Sequence, residues 1–440
     1  MKENSYVWHP YTQMREWDGF TKIVRGDGMW LVDSNGNKML DGVASMWCNV
    51  WGHSKKELIS VIRRQSHKIS HSSLFNLTNE PAEDLAKTLV KTLPGIYRIF
   101  FSDDGSTAME ISLKIALQYW KNVGEKNKTV FATLQNGYHG DTFGAMSVGY
   151  VPGFFSMFKK KLSKAIQIPF ANSYRIPPRT TQEQYLTERL EKIERLFSTN
   201  DTIAAFVMES GAQIAGGVNI YRDGFQARVC KLCKKYGILL VLDEIATGFG
   251  RLGSLVEYEK QKSSPDIVAH GKMLTGGYLP LATTGVTKKI YDSFLGSYSQ
   301  MRHFFHGHTF TGNQLACALA SENLKLYEKN GLIRKIQKTS KVFKKRLDEI
   351  SEIQLVGDIR FKGMLMGIEL VSDRKKKTPV SFKKSVNKMV FEEAKKQRIY
   401  LRTLGNIVLL VPPLAISESE LDFLLDGTIQ TIKNISKRMN

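Results

Sequence analysis

Two carboxylates and one lysine stand where they could act together on a bound ligand. Residues 237–242 are aliphatic or glycine, Asp243 and Glu244 follow directly, and Lys272 comes 29 positions after Asp243. A run of this composition is typical of a strand that is buried on both faces of a parallel sheet, so the acids lie at its carboxyl end. Ligands of open α/β sheets bind at that end.

These residue types suit pyridoxal 5'-phosphate. An aspartate can stay ionised beside a pyridinium nitrogen, and a lysine in a pocket of low dielectric constant can form a Schiff base. Asp243 would then pair with the ring nitrogen of the cofactor, and Lys272 would form the Schiff base with it. Each residue alone has an ordinary alternative, because Asp243 could cap a helix and Lys272 is one of many lysines.

A glycine-led turn, residues 105–107, lies between a short apolar run at 98–102 and a helical pattern. Backbone amides at the start of a helix can hold a phosphate, since glycine permits close approach and hydroxyls add donors. Gly105 and Ser106 are therefore candidate phosphate ligands. An ordinary helix cap would use the same residue types.

A second glycine-rich loop, residues 136–142, places Tyr138 and His139 between glycines. Glycines let the backbone pass close to a flat ligand while Tyr138 stacks on it. Taken alone, this loop does not establish a ligand site. The prediction of a cofactor site rests on the order along the chain. The turn at 105–107, here called the phosphate cup, is followed by an aromatic ring, an acid and a lysine.

Composition limits the other classes of function. The chain has 440 residues and a net charge of +21, but its basic residues are scattered and the densest cluster, 374–377, is short. Without a nucleic-acid-binding motif, we interpret the charge as a basic surface and expect no nucleic-acid partner. No long apolar run and no signal-peptide pattern occur, so we expect a cytoplasmic protein that does not associate with a membrane.

The four cysteines do not form a disulfide framework for a chain of this size. Cys230 and Cys233 have a spacing that can serve zinc or redox chemistry, but a second ligand pair is missing. Residues 225–236 have helical periodicity, so we predict two small core residues one turn apart and expect no metal.

Apolar segments alternate between strand-like and helical patterns, which indicates an α/β fold. Asn35 and Gly36 lie between two apolar runs in residues 30–41, a pattern that predicts a hairpin. Residues 321–351 form one long amphipathic stretch with a weak interruption at Gly331. We interpret that stretch as a helical spine between two domains.

Two segments carry a resemblance to a known family. Residues 242–251 read Leu-Asp-Glu-Ile-Ala-Thr-Gly-Phe-Gly-Arg, and residues 271–277 read Gly-Lys-Met-Leu-Thr-Gly-Gly. Over essentially its whole length the chain resembles the ornithine-type class III aminotransferases, which have the PLP-dependent transferase fold type I. The resemblance implies a large domain with a mostly parallel seven-stranded sheet, and a small α+β domain built from both chain ends. We expect residues 56–328 in the large domain, and 1–55 with 329–440 in the small one.

The resemblance also implies roles for single residues. Lys272 would be the Schiff-base lysine, and Asp243 the partner of the pyridine nitrogen. Gly105 and Ser106 would hold the phosphate, and Tyr138 would cover the ring.

One further cofactor contact would cross between subunits. Thr309, in the segment 306–313, would reach the phosphate bound by the neighbouring subunit. The resemblance therefore implies a homodimer with shared sites.

Residues 8–14, Trp-His-Pro-Tyr-Thr-Gln-Met, look like the signature of one subgroup of this class, which serves the biotin pathway. Its members aminate the small molecule 8-amino-7-oxononanoate. By this resemblance Arg402 binds the substrate carboxylate, a role for which arginine is well suited. Tyr11 would lie over the substrate and take part in catalysis, and Met46 and Gly307 would line its pocket.

Three positions depart from the pattern of many members. The chain has Met46 where a tryptophan is common, His308 in place of a proline, and Ser210 in place of another proline. Most of the subgroup uses S-adenosylmethionine as amino donor, but the segment 306–314 resembles a branch that uses lysine. The alternatives are an ω-amino acid aminotransferase of the ornithine or 4-aminobutyrate type, a PLP-dependent racemase, and a basic binding protein without activity, which Lys272 disfavours.

Overall fold

The computed structural model describes residues 5–17, 19–149, 151–170, 173–381 and 385–439, without the side chains of residues 152 and 153. Strands and helices alternate through the middle of the chain, as an α/β fold requires. The predicted fold class is confirmed by the sheets described below.

The N-terminal part forms an antiparallel sheet with the strands β1 (Ile23–Asp27), β2 (Trp30–Asp33) and β3 (Lys38–Asp41). The predicted hairpin joins β2 to β3. Asp33 accepts hydrogen bonds from the amides of Asn35 (2.9 Å) and Asn37 (2.8 Å), and Gly36 has φ +82°. Such a φ favours glycine, so the Asn-Gly pair fixes the turn.

A twisted sheet of seven strands within the described residues forms the centre of the molecule, in the order β4-β12-β11-β10-β7-β5-β6. Only β12 runs against the others in this sheet. A small hairpin of β8 and β9 lies outside it. The strands are β4 (Arg98–Ser102), β5 (Val130–Leu134), β6 (Ile166–Ile168), β7 (Ile203–Glu209), β8 (Ala212–Gln213), β9 (Asn219–Ile220), β10 (Leu239–Asp243), β11 (Ile267–His270) and β12 (Ala282–Val286).

The C-terminal strands form an antiparallel sheet in the order β13-β14-β18-β17, with β15 paired to β14. β16 instead joins the N-terminal sheet, where Ile399 lies opposite Leu40 in parallel register. Both chain ends therefore share one sheet, as the fold class predicts. These strands are β13 (Val356–Lys362), β14 (Leu365–Asp373), β15 (Thr378–Pro379), β16 (Ile399–Tyr400), β17 (Arg402–Leu404) and β18 (Ile407–Leu410).

Helices pack on the strands of both the central and the C-terminal sheet. The α-helices are α1 (Ala44–Trp47, a distorted turn), α2 (Lys56–Lys68), α3 (Glu80–Thr92), α4 (Gly105–Asn122), α5 (Phe143–Val148), α6 (Pro152–Phe155), α7 (Gln182–Thr199), α8 (Phe225–Lys235), α9 (Glu257–Lys260), α10 (Lys288–Ser293), α11 (Gln314–Lys329), α12 (Leu332–Lys345), α13 (Leu347–Ser351), α14 (Val386–Lys396) and α15 (Glu418–Met439). Short 3-10 helices span Met14–Glu16, Ser156–Lys161, Ser173–Arg175, Lys272–Thr275 and Tyr298–Gln300.

The single amphipathic spine over residues 321–351 is wrong. Three separate helices, α11, α12 and α13, occupy this stretch. Gly331 adopts φ +56°, a left-handed conformation that ends one helix and begins the next, so it interrupts the helix fully. α11 packs on α2 and α3, whereas α12 packs on α15.

Cys230 and Cys233 are core residues, as predicted. Both lie buried on α8, and the Cys230 thiol is 3.6 Å from the carbonyl oxygen of Ser264. Among the helices of the described residues, we find none long and apolar enough to cross a membrane.

Candidate functional site

A cavity of about 450 Å³ opens where β10 and β11 end and α4 begins. Side chains of both signs and several aromatic rings surround it. Its walls include Met46, Trp47, Cys48, Asp103, Gly105, Ser106, Tyr138, His139, Glu209, Asp243, Lys272 and Tyr278. The predicted acid, lysine, phosphate cup and aromatic ring therefore lie in one cavity, at the sheet edge where α/β proteins bind ligands.

Asp243 is held from both sides. Its Oδ2 lies 2.7 Å from Nδ1 of His139, and its Oδ1 accepts a hydrogen bond from the amide of Ile245 at 2.9 Å. Both partners of the Asp243–His139 pair are buried. A buried carboxylate fixed in this way cannot rotate, so it can face a ligand group in one orientation.

Glu244, the second acid of the motif, does not reach the cavity. It is fully buried and accepts hydrogen bonds from the amides of Glu257, at 3.1 Å, and Tyr258. Its carboxylate also lies 3.4 Å from Nε2 of His270. Successive side chains of a strand point to opposite faces, and Glu244 therefore stabilises the loop behind the sheet.

Glu209, and not Glu244, is the acid that lines the cavity beside Asp243. It ends β7 directly opposite Asp243 in the strand register, and it accepts hydrogen bonds from the amides of Tyr138 (3.2 Å) and Ile214 (2.9 Å). Burial raises the pKa of Glu209 to about 7, with Asp243 adding to the rise and His139 opposing it. Sequence reasoning missed this residue, although it ends a buried strand just as Asp243 does.

Ser210 explains one departure from the family pattern. Its amide donates a hydrogen bond of 2.9 Å to the carbonyl oxygen of Asp243. A proline at this position has no N–H and could not form the bond. The serine therefore adds a contact that ties β7 to the end of β10.

Lys272 follows β11 and begins a 3-10 helix at the cavity wall. Its φ of +37° lies in the left-handed region, which costs a residue with a side chain about 1–3 kcal/mol and is found mainly at functional sites. Its Nζ is 5.4 Å from the centre of the Trp47 ring. Burial lowers the pKa of Lys272, while Asp243 and Glu209 oppose the change.

Gly105 and Ser106 form the first turn of α4. Asp104 caps the helix through a capping box with Thr107, and the amides of Gly105 and Ser106 remain without intrahelical acceptors at the cavity wall. The approach is tight, because a Cβ at Gly105 would meet Ile245 at 2.8 Å and one at Gly140 would meet the Ser106 hydroxyl at 2.2 Å.

Tyr138 lines the cavity, and Tyr11 lies beside Tyr138. Tyr138 stacks on Phe155, with ring centres 6.0 Å apart, and burial raises its pKa. Tyr11 donates a hydrogen bond of 2.7 Å to Asp141. Burial and this bond raise the pKa of Tyr11 to about 12, so its hydroxyl stays protonated.

Arg402 reaches the cavity mouth from β17. Its Nη1 is 3.1 Å from Sδ of Met46, which lines the cavity. Within the described part of the chain its guanidinium forms no ion pair with a carboxylate. Arg402 thus presents an unneutralised, partly buried cation beside the site.

Gly307 and Thr309 lie outside this cavity. Both are exposed, and Gly307 packs so closely on Phe75 that a Cβ would meet its ring at 2.7 Å. The Thr309 carbonyl oxygen is 2.6 Å from Nε2 of His71. The exposed apolar side chains of Phe75 and Phe310 lie close to them, Phe75 against Gly307 and Phe310 against the His71 ring.

Comparison with known proteins identifies the family of this chain. The sequence model of the family described as Aminotransferase class-III matches residues 12–432. The chain belongs to the class III aminotransferases.

Two relatives share the length of this class III chain as well as its family. An adenosylmethionine-8-amino-7-oxononanoate aminotransferase of Geobacter sulfurreducens is 41% identical over 99% of this chain and 97% of its own. The protein of the same name from Staphylococcus aureus is 42% identical over 99% and 98%.

Solved structures agree on the fold. The crystal structure of adenosylmethionine-8-amino-7-oxononanoate aminotransferase from Methanocaldococcus jannaschii superimposes with a TM-score of 0.91, at 41% identity over 98% of this chain and 97% of that one. The omega transaminase of Pseudomonas jessenii in complex with PMP gives a TM-score of 0.94, at 27% identity over 99% and 97%. The backbone is therefore shared by enzymes with different names.

Proposed function

We propose that the protein transfers an amino group to 8-amino-7-oxononanoate, giving 7,8-diaminononanoate, with pyridoxal 5'-phosphate as cofactor. The observation that carries this proposal is sequence identity of about 40% along the whole chain to relatives named for that reaction. The backbone does not discriminate, because an omega transaminase superimposes as well at only 27% identity. Side chains at the cavity mouth must therefore select the substrate.

The residues present fit the cofactor. The crowded glycines at 105 and 140 leave room for a phosphate at the start of α4, where the helix dipole favours an anion. In this proposal Gly105 and Ser106 hold the phosphate, Tyr138 covers the ring, and Asp243 pairs with the ring nitrogen. Bound there, pyridoxal phosphate supplies a carrier for the amino group and a ring that withdraws electrons.

Lys272 is the proton carrier of the proposal. Its amine would hold the cofactor covalently and, when free, would act as the base that moves a proton between substrate and cofactor. Because burial lowers its pKa, the neutral amine that accepts a proton is favoured. Asp243, held by His139, keeps the ring nitrogen protonated throughout.

The acceptor ends in a carboxylate, which we assign to Arg402. Its unneutralised guanidinium supports this role, since arginine forms strong and directional bonds to carboxylates. Tyr11, held by Asp141, lies over the substrate, and Met46 contributes to its pocket. Gly307 lies outside the cavity of its own subunit, so in this proposal it serves the substrate pocket across the dimer contact. The proposed division leaves residues 56–328 as the cofactor domain, and 1–55 with 329–440 as the domain that carries Arg402 and Tyr11.

The active unit in this proposal is a homodimer, in which Thr309 reaches the phosphate of the partner subunit. Two features support it. Thr309 lies outside the cavity of its own subunit, and its hydroxyl forms no hydrogen bond within the described residues. The exposed apolar side chains around it would be covered by a second copy.

The amino donor of the proposal is S-adenosylmethionine, after the names of the relatives, and lysine is the second candidate. The segment 306–314 favours the second, because it resembles the branch that uses lysine, and Met46 departs from the common tryptophan beside the donor pocket. The test incubates purified protein and 8-amino-7-oxononanoate with each donor, and detects 7,8-diaminononanoate by mass spectrometry. Lys272→Ala is the control. Product from ornithine or 4-aminobutyrate with 2-oxoglutarate, and none from the biotin-pathway acceptor, would replace the proposal by the ω-amino acid alternative.

A further inference from the structure

We propose that His71 is a positioning residue for Thr309, and so for the phosphate site of the partner subunit. The inference rests on the proposed trans role of Thr309. The side chain of His71 itself lies in the same subunit as Thr309.

The contact between His71 and Thr309 determines which ring nitrogen of His71 carries a proton. Nε2 of His71 lies 2.6 Å from the Thr309 carbonyl oxygen, which can only accept a hydrogen bond. His71 must therefore carry a proton on Nε2. The other ring nitrogen, Nδ1, lies 3.5 Å from Nδ2 of Asn313 and can accept from that amide. The neutral ring suits both neighbours at once.

The surrounding contacts hold the same two segments together. The Gln314 side chain donates to the carbonyl oxygen of Ser72 at 3.1 Å, and Asn79 donates to the carbonyl oxygen of Gly312 at 3.1 Å. The imidazole also packs on Phe310, with ring centres 5.1 Å apart. Residues 71–79 therefore form a fixed support beneath the loop that presents Thr309.

A bond to a carbonyl oxygen can direct a hydroxyl on the same residue. The hydrogen bond from His71 fixes the peptide plane that follows the Thr309 Cα, and with it the direction of the Cα–Cβ bond. Threonine is branched at Cβ, so few side-chain rotamers remain open. Because the Thr309 hydroxyl has no hydrogen bond within the described residues, the backbone is what orients it.

The test uses the full-length protein, stripped of cofactor and titrated with pyridoxal phosphate while protein fluorescence is recorded. His71→Phe keeps a ring against Phe310 but removes the donor, and His71→Gln restores an N–H donor. The matched control is His67→Phe, which alters an exposed histidine at the end of α2. Sedimentation velocity on each variant reports the oligomeric state.

We expect His71→Phe and Thr309→Ala each to weaken cofactor binding about tenfold, because the same hydrogen bond to a charged group is lost in both. His71→Gln should bind within about threefold of wild type, and His67→Phe should be unchanged. The double variant His71→Phe/Thr309→Ala should bind no more weakly than Thr309→Ala alone, since the two residues act through one contact.

Each other outcome overturns a different statement. Normal binding by His71→Phe, or losses that multiply in the double variant, would remove the positioning role and leave the proposed function intact. A monomeric His71→Phe would assign the residue to subunit contact instead. Normal binding by Thr309→Ala would refute the trans role of Thr309 itself.

Discussion

Arg402→Ala tests the substrate assignment most directly. The change removes the cation at the cavity mouth and leaves the backbone of β17 and its pairing with β18 in place. The two halves of a transamination use different substrates in one site. A residue that holds only the acceptor carboxylate should therefore affect one half-reaction.

The magnitude follows from the surroundings of the guanidinium. Removing one partner of a buried, hydrogen-bonded charge pair costs about 2–5 kcal/mol. Arg402 is only partly buried, and within the described residues its guanidinium hydrogen-bonds only to the Met46 sulfur, so water can replace part of the lost contact. We expect the low end, about 2 kcal/mol, which corresponds to a loss of roughly 30-fold.

The assay is single-turnover absorbance spectroscopy of the cofactor, with donor alone and then with 8-amino-7-oxononanoate alone. The acceptor half-reaction should slow by the stated factor at low substrate concentration, and the donor half-reaction should stay close to wild type. Arg402→Lys should recover part of the loss, because it keeps the charge without the planar fork. Arg25→Ala, an exposed arginine of β1, controls for the change in net charge.

Equal losses in both half-reactions would place Arg402 outside the acceptor pocket and revive the ω-amino acid alternative. An unchanged acceptor half-reaction would refute the assignment altogether. A loss reproduced by Arg25→Ala would show that long-range attraction, and not a contact, carries the effect.

Three further variants test the cavity. Lys272→Ala should abolish transamination and the visible absorbance of the covalently bound cofactor; repeated turnover at the wild-type rate would contradict the role of the lysine. His139→Phe leaves Oδ2 of Asp243 buried without its partner, so thermal unfolding should show a loss of about 1–3 kcal/mol, which His139→Asn should partly restore. Glu209 has its pKa raised by burial to about 7, so wild-type protein should lose stability, on the order of 3 kcal/mol, as pH rises from about 4.5 through 7. Glu209→Gln should not show this slope in urea unfolding at pH 5 and 8, and an equal slope would refute the raised pKa.

Local sequence determined much of the fold. Apolar runs such as β7 and β10 are buried on both faces and so read as strands of a parallel sheet without further information. The Asn35–Gly36 turn was equally clear, because a positive φ is a local property of one residue. Local signals also placed the start of α4 and the end of β10, which position the proposed phosphate ligands and Asp243.

Tertiary structure decided which of these groups meet. Two acids stand side by side after β10, yet only Asp243 faces the cavity, and its neighbour there is Glu209 from another strand. His139, distant in sequence, supplies the second contact that fixes Asp243. Likewise, Gly331 interrupts the stretch at 321–351 completely, and the helices on either side of it pack on different partners. Periodicity records which face of an element is buried, but strand register and packing between distant segments determine what that face meets.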